Sequence, residues 1–194
     1  MTRFHAPARV YGERLRTAAG RGDIKLVTEF VIRGCDANTA DGELQTSLHR
    51  ACSQGRVEVI ETLHLLSGSR LLLDPKDRYG CSPLWLTCLF GQESCVRKLI
   101  SLGADVNAKN IFGKSCLHAA ASKGHSTICS LLINAGAMIQ SDDLDMSPLH
   151  EAAVKVNDNA AVMTLLSESF PDSNDQVDLL GYTPRAYINL MNGS

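Results

Sequence analysis

The chain has 194 residues, 44% hydrophobic and 21% charged, with a formal net charge of −2. That composition is ordinary for a folded globular chain and long enough to bury a core, and the near-neutral charge argues against a dedicated nucleic-acid binder. No apolar run approaches the roughly 18 residues that span a bilayer, so membrane insertion is not expected.

In chain order, residues 1–11 are basic and Pro-containing and lack the apolar block of a secretory signal. A flexible start is expected there. The first unit (12–41) carries "RLRTAAGRGDIKLVTEFVI" from Arg14, with Arg and Lys where an interior unit would be apolar, as suits an N-terminal cap. The second (42–79) carries "TSLHRACSQGRVEVIETL" from Thr46, then a lengthened connection, "SGSRLLLDPKDRY". The third (80–112) carries "SPLWLTCLFGQESCVRKLI" from Ser82, and the fourth (113–144) "SCLHAAASKGHSTICSLLI" from Ser115. The fifth (145–180) begins "SPLHEAAVKV" at Ser147; its inner turn "VKVNDNAAV" and its exit loop "SESFPDSNDQVDLL" are both lengthened. The last (181–194) has "TPRAYINLM" from Thr183 and stops after one predicted helix. It is either a natural half-unit cap or the point where a longer protein has been cut.

Each unit reads as a helix pair. In the fourth, Ser115 precedes "CLHAAASK", a short helix whose Ala positions permit close packing. Gly124 breaks it, and "HSTICSLLINA" then places Ile128, Leu131 and Leu132 on one stripe. Gly136 ends the second helix as a C′ glycine does. One pair cannot bury its stripe alone, whereas stacked neighbours share a continuous core.

Successive starts at Thr46, Ser82, Ser115, Ser147 and Thr183 lie 36, 33, 32 and 36 residues apart. A period near 33 carrying T-P-L-H-x-A resembles the ankyrin repeat, and "GADVNAKNIFGKSCLHAAASKGH" does so over its whole length. The resemblance covers the chain from about residue 12 onward. It implies an all-α solenoid of stacked helix–turn–helix units with hairpin-like loops: about five repeats and a C-terminal half unit. It also implies a non-catalytic protein–protein interaction module, an adaptor or scaffold without cofactor. The alternative is a regulatory or targeting domain of a larger multidomain enzyme or signalling protein.

Aligning the units weighs the residues that look reactive. His49, His118 and His150 share one position, where the third unit has Trp85, the last Ala186 and the first Arg16. A catalytic or metal site does not accept Trp and Ala in place of His, and these spacings lie far outside ligand pairings on one helix. By the resemblance, this His hydrogen-bonds backbone between repeats together with the preceding Ser or Thr. The seven cysteines sort similarly. Cys52 and Cys88 share a small slot with Ala121 and Ala153. Cys95 and Cys129 fall in the apolar stripe, Cys35 lies beside a turn, and Cys116 stands where Pro83 and Pro148 stand. Cys81, at a variable position expected to be exposed, is left as the redox candidate. An odd cysteine count without C-x-x-C pairs favours reduced thiols and a cytoplasmic or nuclear location. No glycine-rich phosphate loop, H-E-x-x-H or G-x-S-x-G occurs. Asp142 and Asp143 read as solvated tip residues. Charge is uneven: residues 1–33 carry seven Lys or Arg against three acids, and residues 134–194 carry two against nine. Two solvated ends of an elongated molecule, or steering of a partner, account for that.

In ankyrin proteins, by resemblance, partners meet the loop tips and the exposed side of the first helices. Those positions are Arg78, Tyr79, Cys81, Leu89 and Phe90 in the third repeat and Ile111, Phe112, Lys114, Ser122 and Lys123 in the fourth. Leu89, Phe90, Ile111 and Phe112 form an apolar cluster at positions expected to face solvent, bordered by Arg78 and Tyr79, types common in hot spots. The competing expectation is that tip packing, or the loop of residues 67–76, covers them. A protein partner and a monomeric chain are expected. "LISLGADVNA" places Leu99 eight residues before Asn107, similar to the context in which ankyrin-repeat asparagines are hydroxylated in some eukaryotes. A plain turn asparagine is the alternative.

Overall fold

Thr46, Ser82 and Ser147 each end a stretch of extended backbone and start a helix, the side-chain oxygen accepting the N–H of His49, Trp85 and His150 in turn. Ser115 opens its helix in a capping box with His118. Each such cap stabilises its helix by about 1 kcal/mol. The helices they open are short: α3 (Ser47–Ser53), α5 (Pro83–Leu89), α7 (Cys116–Ala121) and α9 (Pro148–Ala153). Helices of two turns are marginal in water, so packing must hold them.

The computed structural model describes residues 8–154 and 159–192, without the side chains of 8–10 and 191–192. The remaining helices are α1 (Ala8–Arg21), α2 (Ile24–Ile32), α4 (Val57–Ser67), α6 (Glu93–Ser101), α8 (Ser126–Asn134), α10 (Ala160–Ser169) and α11 (Pro184–Asn192). They stack in two layers. α1, α3, α5, α7, α9 and α11 pack in succession as an inner row, and α2, α4, α6, α8 and α10 as an outer row. Among the described residues there is no strand, only an isolated bridge between Lys109 and Ser115. This is the all-α stack of helix pairs and hairpin-like loops implied by the repeat. α1 takes in residues 8–11, which the sequence assigns to a flexible start; residues 1–7 lie outside the described residues, as do residues 155–158 of the lengthened turn "VKVNDNAAV".

Between the layers runs one continuous core. The inner row supplies Leu48, Cys52, Leu84, Cys88, Leu117, Ala121 and Leu149; the outer row supplies Ile60, Leu63, Val96, Leu99, Cys129, Leu132 and Leu166. The lengthened connection after α4 is tied to this core by Leu71, which is buried, and by Leu73 packed against it. Asn38 also anchors it, donating to the Arg70 carbonyl at 2.8 Å and accepting the Leu72 N–H at 2.9 Å.

Candidate functional site

Each pair of repeats is joined at a tip, and the same five-residue turn recurs at Asp41–Gln45, Asp77–Cys81, Asn110–Lys114, Asp142–Met146 and Asp178–Tyr182. The first residue is Asp or Asn, and its Oδ1 accepts the N–H groups of the third and fifth residues at 2.9 to 3.0 Å in every tip. One carboxylate or amide oxygen thus closes the turn without a strand. The fourth residue is left-handed throughout: Gly80, Gly113 and Gly181 at φ of 70°, 72° and 78°, but Leu44 and Asp145 at 59° and 55°. Successive tips are laced by backbone. Arg78 N–H donates to the Glu43 carbonyl, Ile111 to Tyr79, Asp143 to Phe112 and Leu179 to Leu144, at 3.0 to 3.2 Å.

The third residue of the turn projects into solvent. It reads Glu43, Tyr79, Phe112, Leu144 and Leu180, and the four apolar ones are 52%, 53%, 56% and 75% exposed. Exposed Ile111 and Leu179 at the second position widen the row, and Phe90 at the end of α5 is also exposed. The tips therefore present an apolar ridge over four consecutive repeats. Leu144, Leu179 and Leu180 are not among the residues the sequence singles out, all of which belong to the third and fourth repeats. Leu144 is further hidden because Asp145 replaces the tip glycine. A marker for all of them is present in the sequence: an Asp or Asn stands five residues before each Thr or Ser cap.

The nine residues expected to meet a partner divide in two. Arg78, Tyr79, Phe90, Ile111, Phe112 and Lys123 are exposed. The loop of residues 67–76 does not cover them. Leu89, expected at a solvent position, is instead half-buried against the core. Ser122 is half-buried and its hydroxyl donates to the Ala119 carbonyl at 3.0 Å. Lys114 is half-buried, its ammonium paired with Glu151 and 3.7 Å from Asp142. Arg78 grips Glu43 of the preceding tip with Nη1 at 2.7 and 2.8 Å from the two carboxylate oxygens, which leaves Tyr79 beside it as the protruding group. Asp142 is not solvated as expected: it is buried and organises its turn. Asn107 is half-buried and clamps the next loop as Asn38 does. Its Nδ2 donates to the Gly136 carbonyl at 3.2 Å and its Oδ1 accepts the Met138 N–H at 2.9 Å.

The reactive-looking residues are structural. In His118, Nδ1 accepts the Ser115 N–H at 3.1 Å, which leaves Nε2 protonated to donate to the Met146 carbonyl at 2.9 Å. His49 and His150 repeat this toward Cys81 and Tyr182, again the fifth residue of the next tip. Trp85 in the same slot makes no such bond; its Nε1 has no partner among the described residues. Cys81 is 4% exposed, contrary to the exposed position expected, because the fifth tip residue turns inward between neighbouring tips. Burial, then the Asp77 carboxylate, push its thiol up to about 12, the opposite of a reactive thiolate. Cys35 is half-buried and the other six cysteines are buried. A thiol-reactive disulfide reagent is therefore expected to modify one cysteine rapidly in the native protein and the remainder only in denaturant. Fast modification of two or more native thiols would contradict this burial.

An open polar groove of about 880 Å³ lies between α1, α3 and the first tip. Two of its three arginines are engaged: Arg16 Nη1 donates to the Thr39 carbonyl and Arg50 pairs with Asp41, each at 3.0 Å. No group of three or more His, Cys, Asp or Glu able to hold a metal ion occurs among the described residues. No helix among them is long and apolar enough to cross a membrane.

Comparison with known proteins agrees with the geometry. The sequence model described as "Ankyrin repeats (3 copies)" matches residues 15–110 and 107–177. NF-kappa-B inhibitor zeta of Mus musculus is 32% identical over 148 residues, 72% of this chain and 20% of that protein. Transient receptor potential cation channel subfamily A member 1 of Drosophila melanogaster is 32% identical over 131 residues, 66% of this chain and 11% of that protein. Inversin of Mus musculus is 32% identical over 116 residues, 59% of this chain and 11% of that protein. The chain thus spans a fifth or less of the length of these relatives.

Proposed function

This chain belongs to the ankyrin-repeat family, and from that membership we propose that its tip ridge and the exposed ends of its inner helices recognise a protein partner. Ankyrin repeats are protein–protein interaction modules, and the fold is a non-catalytic one. The reading proposed is an adaptor or scaffold that performs no chemistry, binds no nucleic acid and acts as a monomer in the cytoplasm or nucleus. One observation carries it: an exposed apolar side chain at the same turn position in four consecutive repeats. Monomeric proteins seldom leave such contiguous apolar surface in water without a use for it. The surface is preformed by the Asp and Asn turns and the backbone lacing, so little ordering entropy opposes binding.

Affinity capture from the source cell, run in parallel with a Phe90→Ala/Phe112→Ala double variant, tests the reading. Partners retained by the wild type and lost from the variant are expected, with about 2 kcal/mol lost per hot-spot anchor once a partner is verified. Unchanged affinity for a verified partner would remove Phe90 and Phe112 from the binding surface. Hydroxylation of Asn107 is a separate proposal, read out as the mass of one added oxygen on the native protein.

A second reading, a regulatory or targeting domain of a larger protein, is favoured by the small share of each relative that this chain spans. The full reading frame decides between the two.

A further inference from the structure

The ridge has a period, and the period selects a shape of partner. Neighbouring helices of a packed row lie about 8–10 Å apart. Two arms per hairpin at strand-like spacing of about 4.8 Å give nearly the same advance per tip. The apolar anchors Tyr79, Phe112, Leu144 and Leu180 therefore recur at roughly 10 Å. Seven residues of α-helix rise about 10.5 Å and return to nearly the same face. In an extended strand one face repeats at about 7 or 13 Å, which misses the tips. A polyproline II segment repeats near 9 Å with one side chain per turn. That would leave unmatched the paired residues at two tips, Ile111 with Phe112 and Leu179 with Leu180, which an a/d pair in each heptad would meet.

The ridge also has a polarity. At its start the charges cancel, Arg78 being paired with Glu43. At its end Asp143 and Asp145 flank Leu144, exposed and with no ion pair among the described residues. Residues 134–194 carry nine acids against two Lys or Arg.

From this period and this polarity, we propose that the tips of residues 77–182 receive an amphipathic helix of a partner protein, with aliphatic residues at heptad spacing and lysine or arginine at the end lying over Leu144 and Leu180. The inference rests on the protein-recognition reading and narrows it to one class of partner. Charge sets which way the helix lies and how fast it arrives, while the apolar anchors hold it.

The test uses the full chain and three fluorescent synthetic peptides of about 24 residues: leucine heptads with lysine elsewhere, the same with glutamate for lysine, and a proline-rich peptide. The expected result is binding of the lysine peptide alone, with a gain of helical circular dichroism. Binding should weaken at least tenfold in Phe112→Ser/Leu180→Ser. It should weaken less, and with a shallower salt dependence, in Asp143→Asn/Asp145→Asn. Both pairs are exposed, and an unchanged thermal melt confirms that the variants fold. Equal binding of the glutamate or proline-rich peptide, no binding of any, or full binding by the ridge variant would overturn the proposal. So would a dimer of the protein that the ridge variant abolishes, since a second copy would then own the ridge. Capture from the source cell separates the two levels. Ridge-dependent capture without binding of the lysine peptide sinks the helix and leaves protein recognition standing; failure of both sinks both.

Discussion

Leu117→Ala is expected to lower the unfolding free energy by about 3 kcal/mol, within the usual range for a buried leucine. Leu117 is fully buried in α7, and Leu48, Leu84 and Leu149 occupy the same slot in the repeats around it. Removing its isopropyl group opens a cavity in the middle of the stack, where inner helices on both sides and the outer row all lose contact. The stack is quasi-one-dimensional, so a lesion in a central repeat weakens two interfaces whereas one in a terminal repeat weakens one. Urea titration monitored by helical circular dichroism reads the change. Ile111→Ala, at an exposed tip, is the matched control and is expected to cost within about 0.5 kcal/mol. A loss below about 1 kcal/mol for Leu117→Ala would mean that this slot is not the packed centre of the fold.

His118→Ala is expected to cost about as much, by a different route. The substitution leaves the buried Ser115 N–H and the Met146 carbonyl without their imidazole partner, and each orphaned group costs about 1–3 kcal/mol. It also unfastens α7 from the next tip. This second effect has a pH signature. Burial, which penalises the charged form, holds His118 and His49 below their ordinary value. In the unfolded chain a histidine titrates near 6.5. Below that value the unfolded state takes up the proton first, so stability falls with falling pH until the lower folded value is reached. Above about pH 7.5 both states are neutral and these residues contribute no slope. Denaturation midpoints measured from pH 8 down to pH 5 should therefore fall for the wild type and fall less steeply for His118→Ala, with the share of His49 remaining. An identical slope in the two proteins would contradict the assignment.

The parts of this molecule legible in the sequence are those that repeat. His118 and Cys116 look like a reactive pair when read alone, yet alignment with Trp85 and Pro83 identifies structural slots, and the hydrogen bonds to Met146 and Ser115 give the reason. Exposure at the tips is less legible, because it depends on the neighbouring turn rather than on the residue's own repeat. Cys81 and Lys114 both follow a tip glycine at variable positions. Both turn inward, one toward Asn110 and the other to Glu151 and Asp142. Leu89 ends a two-turn helix whose last residues still lean on the core. Leu144 carries no glycine signal, because a left-handed Asp145 does the work of glycine in its turn.

The lacing of the tips has a consequence for how such a surface changes over generations. In each turn an Asp or Asn oxygen and a left-handed fourth residue carry the geometry, and a backbone hydrogen bond joins each tip to the next. Apart from Glu43, which pairs with Arg78, the side chain of the third residue contributes to neither. It is a free letter in an otherwise fixed word, and Glu43, Tyr79, Phe112, Leu144 and Leu180 are five spellings on the same page. A lineage can rewrite what this edge recognises one repeat at a time, and no intermediate in the series has to unfold.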